Sequence, residues 1–263
     1  MPLRPRFFLA LALPVAAAPT IRAAELRPEP PHVHATRLPQ APVIDGKLDE
    51  PLWKEAAVIT ELKQIRPGDG APLSERTEVR VGYDKDNLYI GAHMVDSRGP
   101  DAISANVMKQ GSRLPDDDRL GIILDPFGTG RGAYRFEVNL NGVRNDMLYQ
   151  GNQPQGEWTV IWDAAAALTD DGWSAEIALP FKTLPFDPNV EAWGFNISRA
   201  IRSTSEEAVW VSRNRTWGPS ITGRMTGIKD VDPGAGLDVV PTLGLRTMRY
   251  YAQDQIDNEA NPS

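Results

Sequence analysis

Cysteine is absent from this 263-residue chain, which removes disulfides, thiolate nucleophiles and cysteine-ligated zinc together. Histidine is nearly as scarce. His32 and His34 share one polar stretch, His93 stands alone in a strand-like segment where it reads as a surface residue, and no Ser-His-Asp spacing, zinc motif or phosphate-cradling loop accompanies them. The close glycines of FGTGRGAY, from Phe127 to Tyr134, read as a turn between strands. Lys and Arg form no cluster, and the formal net charge is −7, so nucleic acid is excluded as the expected partner. Long apolar runs are missing too. The longest, Phe7 to Ala18, is interrupted by Pro14 and falls short of the about 20 residues that a membrane helix needs.

That run follows Arg4 and Arg6 and precedes small residues, the layout of a secretory signal peptide over residues 1–24, with Ala17, Ala23 and Ala24 as alternative cleavage points. The expected destination is the periplasm, the outer membrane or the extracellular space. Residues 25–40 are rich in proline and polar groups and read as an extended linker. The remaining length suits one large β domain, assigned to residues 41–232.

Beyond the linker the dominant period is two. Tyr134, Phe136, Val138 and Leu140 alternate with Arg135, Glu137 and Asn139, so one face is expected to enter a core and the other to meet solvent or ligand. Val79, Val81 and Tyr83 repeat the pattern, as do Leu88, Ile90, Ala92 and Met94, Trp173, Ala175, Ile177 and Leu179, and Trp193, Phe195 and Ile197. Short strands separated by Gly, Pro and Asp turns predict an all-β fold, an antiparallel two-sheet β-sandwich. One short helix is expected. In PVIDGKLDEPLWKEAA, from Pro42 to Ala57, Asp45-Gly46 supplies a turn, Asp49 a cap, Pro51 a first helical residue, and Leu52, Trp53, Ala56 and Ala57 a face to bury.

This opening, followed in order by VRVGYDKDNLYIGAHMVD (Val79 to Asp96), DDRLGIILDPF (Asp117 to Phe127), YRFEVNLNG (Tyr134 to Gly142), GWSAEIALPFKTL (Gly172 to Leu184) and WGFNISRAIR (Trp193 to Arg202), resembles the family 9 carbohydrate-binding modules. The resemblance spans residues 41 to 228. It implies a sugar-binding β-sandwich without catalytic activity of its own, of the kind attached to secreted glycoside hydrolases. The implied partners are xylan, cellulose or their oligosaccharides. The tail from 233 to 263, with alternation in LDVVPTLGLRTMRYY, resembles the junction where such a module precedes an outer-membrane β-barrel. The alternative is therefore a structural or gating domain of a barrel, with no sugar bound.

A glycoside hydrolase would require two carboxylates about 5–10 Å apart, and no pair is marked out. Asp116, Asp117 and Asp118 read either as a solvated turn or as an oxygen-rich calcium site. Sugar binding asks for flat aromatic rings and planar polar groups. The resemblance implies that tryptophan rings sandwich the sugar, with polar groups around its edge. Of seven tryptophans, Trp53, Trp173 and Trp193 lie on apolar faces, leaving Trp158, Trp162, Trp210 and Trp217. Trp210 is out of phase with Val209 and Val211, and so is expected beside Arg135, Glu137, Asn139 and Asn196. Trp217 lies in the polar loop RNRTWGPS. The turn NLNGVRND adds Asn139, Asn141, Arg144, Asn145 and Asp146, where turn propensity is the competing explanation.

Overall fold

A computed structural model describes residues 29–151, 153–155 and 158–233. The expected signal peptide and the alternating tail from 237 lie outside these. In chain order the strands are β1 (His32–His34), β2 (Thr36–Arg37), β3 (Ala57–Ile59), β4 (Lys63–Arg66), β5 (Thr77–Tyr83), β6 (Asn87–Val95), β7 (Arg119–Asp125) and β8 (Gly132–Asn139). They continue as β9 (Arg144–Gln150), β10 (Gln153–Gln155), β11 (Asp163–Thr169), β12 (Gly172–Pro180), β13 (Ala192–Ile201), β14 (Glu206–Val209) and β15 (Gly223–Thr226).

The strands form two packed sheets, as the period of two requires. The larger runs β1-β15-β13-β7-β8-β9-β10, with β14 and β4 extending from β13. The smaller runs β11-β12-β6-β5-β2, with β3 also on β5. Pairing is antiparallel except where β1 meets β15 and β2 meets β5. Those two strands come from the stretch read as a linker. Val33 and Ala35 are buried there because they alternate with polar residues in HVHAT, and Leu38, just past β2, is buried under the N-terminal cover.

Between the sheets lie the faces predicted from alternation: Leu120, Ile122 and Leu124, Tyr134, Phe136 and Val138, and Phe195 and Ile197 from the larger sheet, with Val79, Ile90, Trp173 and Ile177 among those from the smaller. One cation crosses this interior. Arg199 of β13 donates to Thr77 Oγ1 at 2.7 Å, Arg76 O at 3.0 Å and Val95 O at 2.5 Å, tying the end of the larger sheet to β5 and β6. Burial pushes its pKa down to about 10.

The outer face of the smaller sheet is covered by the segment from Ile44 to Ala56. The expected helix is a single 3-10 turn, Pro51–Lys54, preceded by Glu50 without a side-chain cap. Trp53, 1% exposed, packs with Leu38, Leu52, Ala56, Tyr89 and Ala178 as a second apolar cluster. Glycine makes this contact possible. A Cβ on Gly91 would lie 3.0 Å from the Trp53 ring, and Gly46 combines φ +89° with a backbone approach to Ala166 that leaves no room for a side chain. Glu176 fastens the cover from beneath: Trp53 Nε1 donates to Oε1 at 2.8 Å, and the amides of Asp45 and Gly46 donate to Oε2 at 2.9 Å each.

Burial pushes the Glu176 carboxyl from 4.5 up to about 7, against the three donors that pull it down. Glu176→Ala leaves those donors without an acceptor and is expected to cost about 1–3 kcal/mol in urea unfolding. The sign of the pH effect follows from the raised value. The folded state holds this proton more tightly than the unfolded chain, so the contribution is complete below pH 4.5 and is lost as pH rises through about 7. Glu176→Gln, which cannot ionise, should flatten that slope when stability is measured from acid to neutral pH.

Candidate functional site

The polar residues of the larger sheet collect on the face away from the core, because register carries the alternation from strand to strand. Glu137 pairs with Gly121 on one side and Asn145 on the other, Arg135 with Ile123 and Met147, and Ala133 with Tyr149. The missing side chain at Gly121 is required there, since a Cβ would fall 2.4 Å from Ser198 Oγ.

Glu137 is the hub of this face. Its Oε1 accepts from Arg135 Nη2 at 2.6 Å and from Arg119 Nε at 3.2 Å, while Oε2 accepts from Asn145 Nδ2 at 2.9 Å. Arg119 also donates to Leu114 O at 3.0 Å and to Glu207 at 3.4 Å, and Glu207 pairs with Arg66 at 3.2 Å. Arg135 donates to Tyr149 Oη at 3.2 Å and lays its guanidinium over the Trp217 ring, 4.5 Å from the centroid. For Arg135, burial acts to lower the pKa, but the neighbouring Glu137 and Tyr149 raise it, and the net shift is upward. The guanidinium therefore stays charged, and its buried Nε has no acceptor among the described residues.

Trp217 reaches this face on a loop held by Asn196. The Asn196 amide donates to Val211 O at 2.8 Å and Ile221 O at 3.1 Å, and its oxygen accepts from Val211 N at 3.0 Å. Within the loop Arg213 and Thr216 exchange backbone bonds, with positive φ at Asn214 and Arg215. Asn139 acts similarly, donating to Val107 O at 2.9 Å and Asp117 Oδ2 at 2.8 Å and accepting from Val143 N at 2.9 Å.

Of the six residues expected at a sugar site, Arg135, Glu137 and Trp217 meet directly, and Asn139 and Asn196 share their face but are committed to loops. Trp210 lies elsewhere. Its ring packs edge-on to core Phe195 at 6.1 Å and covers Gly223, because the register sets apolar Val209 opposite Ser198 on the polar face, so that Trp210, opposite Ile197, falls in phase with core Ala208. Trp158 and Trp162 also point inward, stacking on Tyr134 at 5.0 Å and edge-on to Phe136 at 5.1 Å. The Asp116–Asp118 run does not converge. Asp116 is exposed, Asp117 accepts from Asn106 N and Val107 N, and buried Asp118 accepts from Arg202 N, since successive residues entering a strand face opposite ways. Among the described residues no group of three or more acidic or histidine side chains is placed to hold a metal.

Beside this network opens a pocket of about 210 Å³, walled by Arg113, Leu114, Pro115, Met147, Tyr149 and Pro154, with Arg119, Arg135, Glu137 and Asn145 also lining it. Larger clefts of about 400 and 470 Å³ flank β5 and the 188–191 loop, but neither is lined by Trp, Tyr or Phe. A third, of about 290 Å³, is lined by Gln110, Arg144, Asp146 and Trp162, but its indole is buried against Phe136. The smallest of these four joins a half-buried aromatic side chain to a dense set of planar polar groups, which can bind and orient a hydroxylated ring. Sequence reasoning passed over Tyr149, Arg113 and Arg119. Tyr149 was accessible from the hairpin register, which carries the polar phase of β8 into Asn145, Met147 and Tyr149.

The fold is a two-sheet β-sandwich with a cross-linked polar face on its larger sheet. A family model described as carbohydrate family 9 binding domain-like matches residues 44–211, and the chain belongs to that family. Among solved structures, a family 9 module from Caldicellulosiruptor kristjanssonii in complex with cellotriose is 17% identical, with TM-score 0.51 over 81% of this chain and 100% of that one. The same comparison with a glucose complex from that organism gives 16% identity and TM-score 0.52, over 80% and 100%. A Bacteroides uniformis structure shares 11% identity at TM-score 0.60, covering 75% and 99%. No curated protein matches the chain in sequence.

Asn196→Ala should free the 211–221 loop. The expected result is a red-shifted tryptophan emission with increased acrylamide quenching, as Trp217 leaves Arg135, together with a stability loss of about 1–3 kcal/mol.

Proposed function

We propose that this chain is an exported, non-catalytic carbohydrate-binding module that serves polysaccharide or oligosaccharide breakdown, with hydrolysis carried out by an attached or partner domain. The observation that carries the reading is the pocket that Tyr149 lines together with Arg135, Glu137 and Asn145. A pyranose laid on the phenol ring would present its hydroxyl rim to groups already fixed by one another. Membership of the family supports the class, and the complexes of similar folds with cellotriose and glucose support cello-oligosaccharides as first ligands; xylan fragments follow from the sequence resemblance alone. Export rests on the basic and apolar start of the sequence, which points to the periplasm, outer membrane or cell exterior.

A second reading is favoured by one observation. The Trp217 ring carries a guanidinium on one face, so the aromatic platform is partly occupied, as would suit a structural or gating domain beside an outer-membrane barrel.

Calorimetric titration with cellotriose, xylotriose and glucose separates the two. Tyr149→Ala is expected to weaken binding by about 1–3 kcal/mol through loss of stacking, and Trp217→Ala by a similar amount through loss of Arg135 positioning. Binding that survives both substitutions would refute this pocket. A folded protein that ignores every glycan would support the barrel-associated reading.

A further inference from the structure

The same pocket carries more positive charge than a neutral sugar requires. Three guanidinium groups line it, Arg113, Arg119 and Arg135, against the single carboxylate of Glu137. Following the ion pairs outward adds one further group of each sign, Glu207 and Arg66, and so the excess of two positive charges persists. This occurs in a chain whose formal net charge is −7.

The cations are not equivalent. Arg119 and Arg135 both lie against Glu137, whereas Arg113 is exposed at the pocket wall and has no hydrogen bond or ion pair among the described residues. Arg135 retains a buried Nε–H without an acceptor. A guanidinium presents a planar fork of donors that matches a carboxylate in two-pronged fashion, and a neutral hydroxyl does not exploit that match. Tyr149, Met147 and Pro154 give the site an apolar wall, which a bare inorganic anion would leave uncovered. The volume, about 210 Å³, lies below the about 300–1,000 Å³ of sites for drug-sized ligands, and so fits one sugar unit rather than a long glycan segment.

We infer that the pocket is selective for an acidic sugar, a single uronic acid unit at a chain end or branch, whose carboxylate pairs with Arg113 while its ring lies on Tyr149. This inference rests on the sugar-binding reading above and sharpens its substrate class.

The test is calorimetric titration of the full chain with a xylo-oligosaccharide bearing one glucuronic acid branch, its methyl ester, the unbranched neutral oligosaccharide and inorganic phosphate. The acidic form is expected to bind about tenfold or more tightly than its ester. The preference should shrink as salt rises from about 50 to about 500 mM, and Arg113→Gln should abolish most of it. Equal affinity for acid, ester and neutral oligosaccharide would overturn the inference and leave the sugar-binding reading standing. Phosphate binding as tight as the acidic sugar would also overturn it, by making the site a general anion site. No binding by any glycan would remove both readings.

Discussion

A buried carboxylate that receives three donors is the constraint around which the smaller sheet is organised. Glu176 stands in the middle of β12, on the face away from the sandwich core, where a charged group is tolerable only if its lone pairs are filled. The turn at Asp45-Gly46 and the indole of Trp53 fill them. The apolar cover follows from that geometry. Trp53 is held at a fixed height over Gly91, Leu38 and Leu52 close around it, and the chain is then delivered to β3 at the edge of β5. Ser174 adds a bond to the Gly46 carbonyl at 2.6 Å, so both polar ends of that peptide region are anchored to one strand.

The larger sheet repeats the device with a different outcome. Glu137 also projects from a central strand away from the core, but its donors are two arginines and an asparagine rather than backbone amides and an indole. Backbone and indole donors close the surface over Glu176, whereas the side-chain donors on Glu137 border an open pocket. One carboxylate thus seals its sheet and the other organises an open polar face. Asn139, Asn196 and Asp117 complete the pattern by holding loops at the rim, each with its polar atoms matched to backbone groups.

Alternation made the core legible. Tyr134, Phe136 and Val138, or Leu88, Ile90, Ala92 and Met94, can be read directly because a core-facing strand enforces a period of two, and all are buried, although covered outer faces bury intervening residues such as Tyr89, Glu137 and Asn139 too. The N-terminal cover was partly legible: Asp45-Gly46 and the buried Trp53 emerged from turn chemistry and apolar spacing, but four residues after a proline sufficed only for a 3-10 turn. The site was harder. Arg135, Glu137 and Trp217 were accessible from phase and loop composition, yet Trp210 was assigned to the polar face because Val209 beside it is apolar, whereas register turns Val209 outward and Trp210 to the core, and Asn139 and Asn196 are committed to loops that no local pattern announces. Arg119 entered the network through pairing across the β7–β8 ladder, which is long-range information. The Asp116–Asp118 run shows the same limit, since the partners that separate its three carboxylates lie at Asn106, Asn139 and Arg202.

The arrangement at Arg135 has a consequence for binding energetics. A free arginine side chain loses considerable rotamer freedom when a ligand orders it, and that loss subtracts from affinity. Here Trp217 and Glu137 have fixed the guanidinium beforehand, on one side by ring contact and on another by a 2.6 Å charge-assisted bond. The ordering cost is therefore borne in folding rather than in recognition. The same fixation covers one face of Trp217, and in the proposed binding mode Tyr149, which accepts from Arg135 at 3.2 Å and lines the pocket, supplies the aromatic surface for the sugar. Recognition in that proposed mode would be weighted toward pre-positioned charge, with a single ring for stacking, in place of a sandwich between two tryptophans.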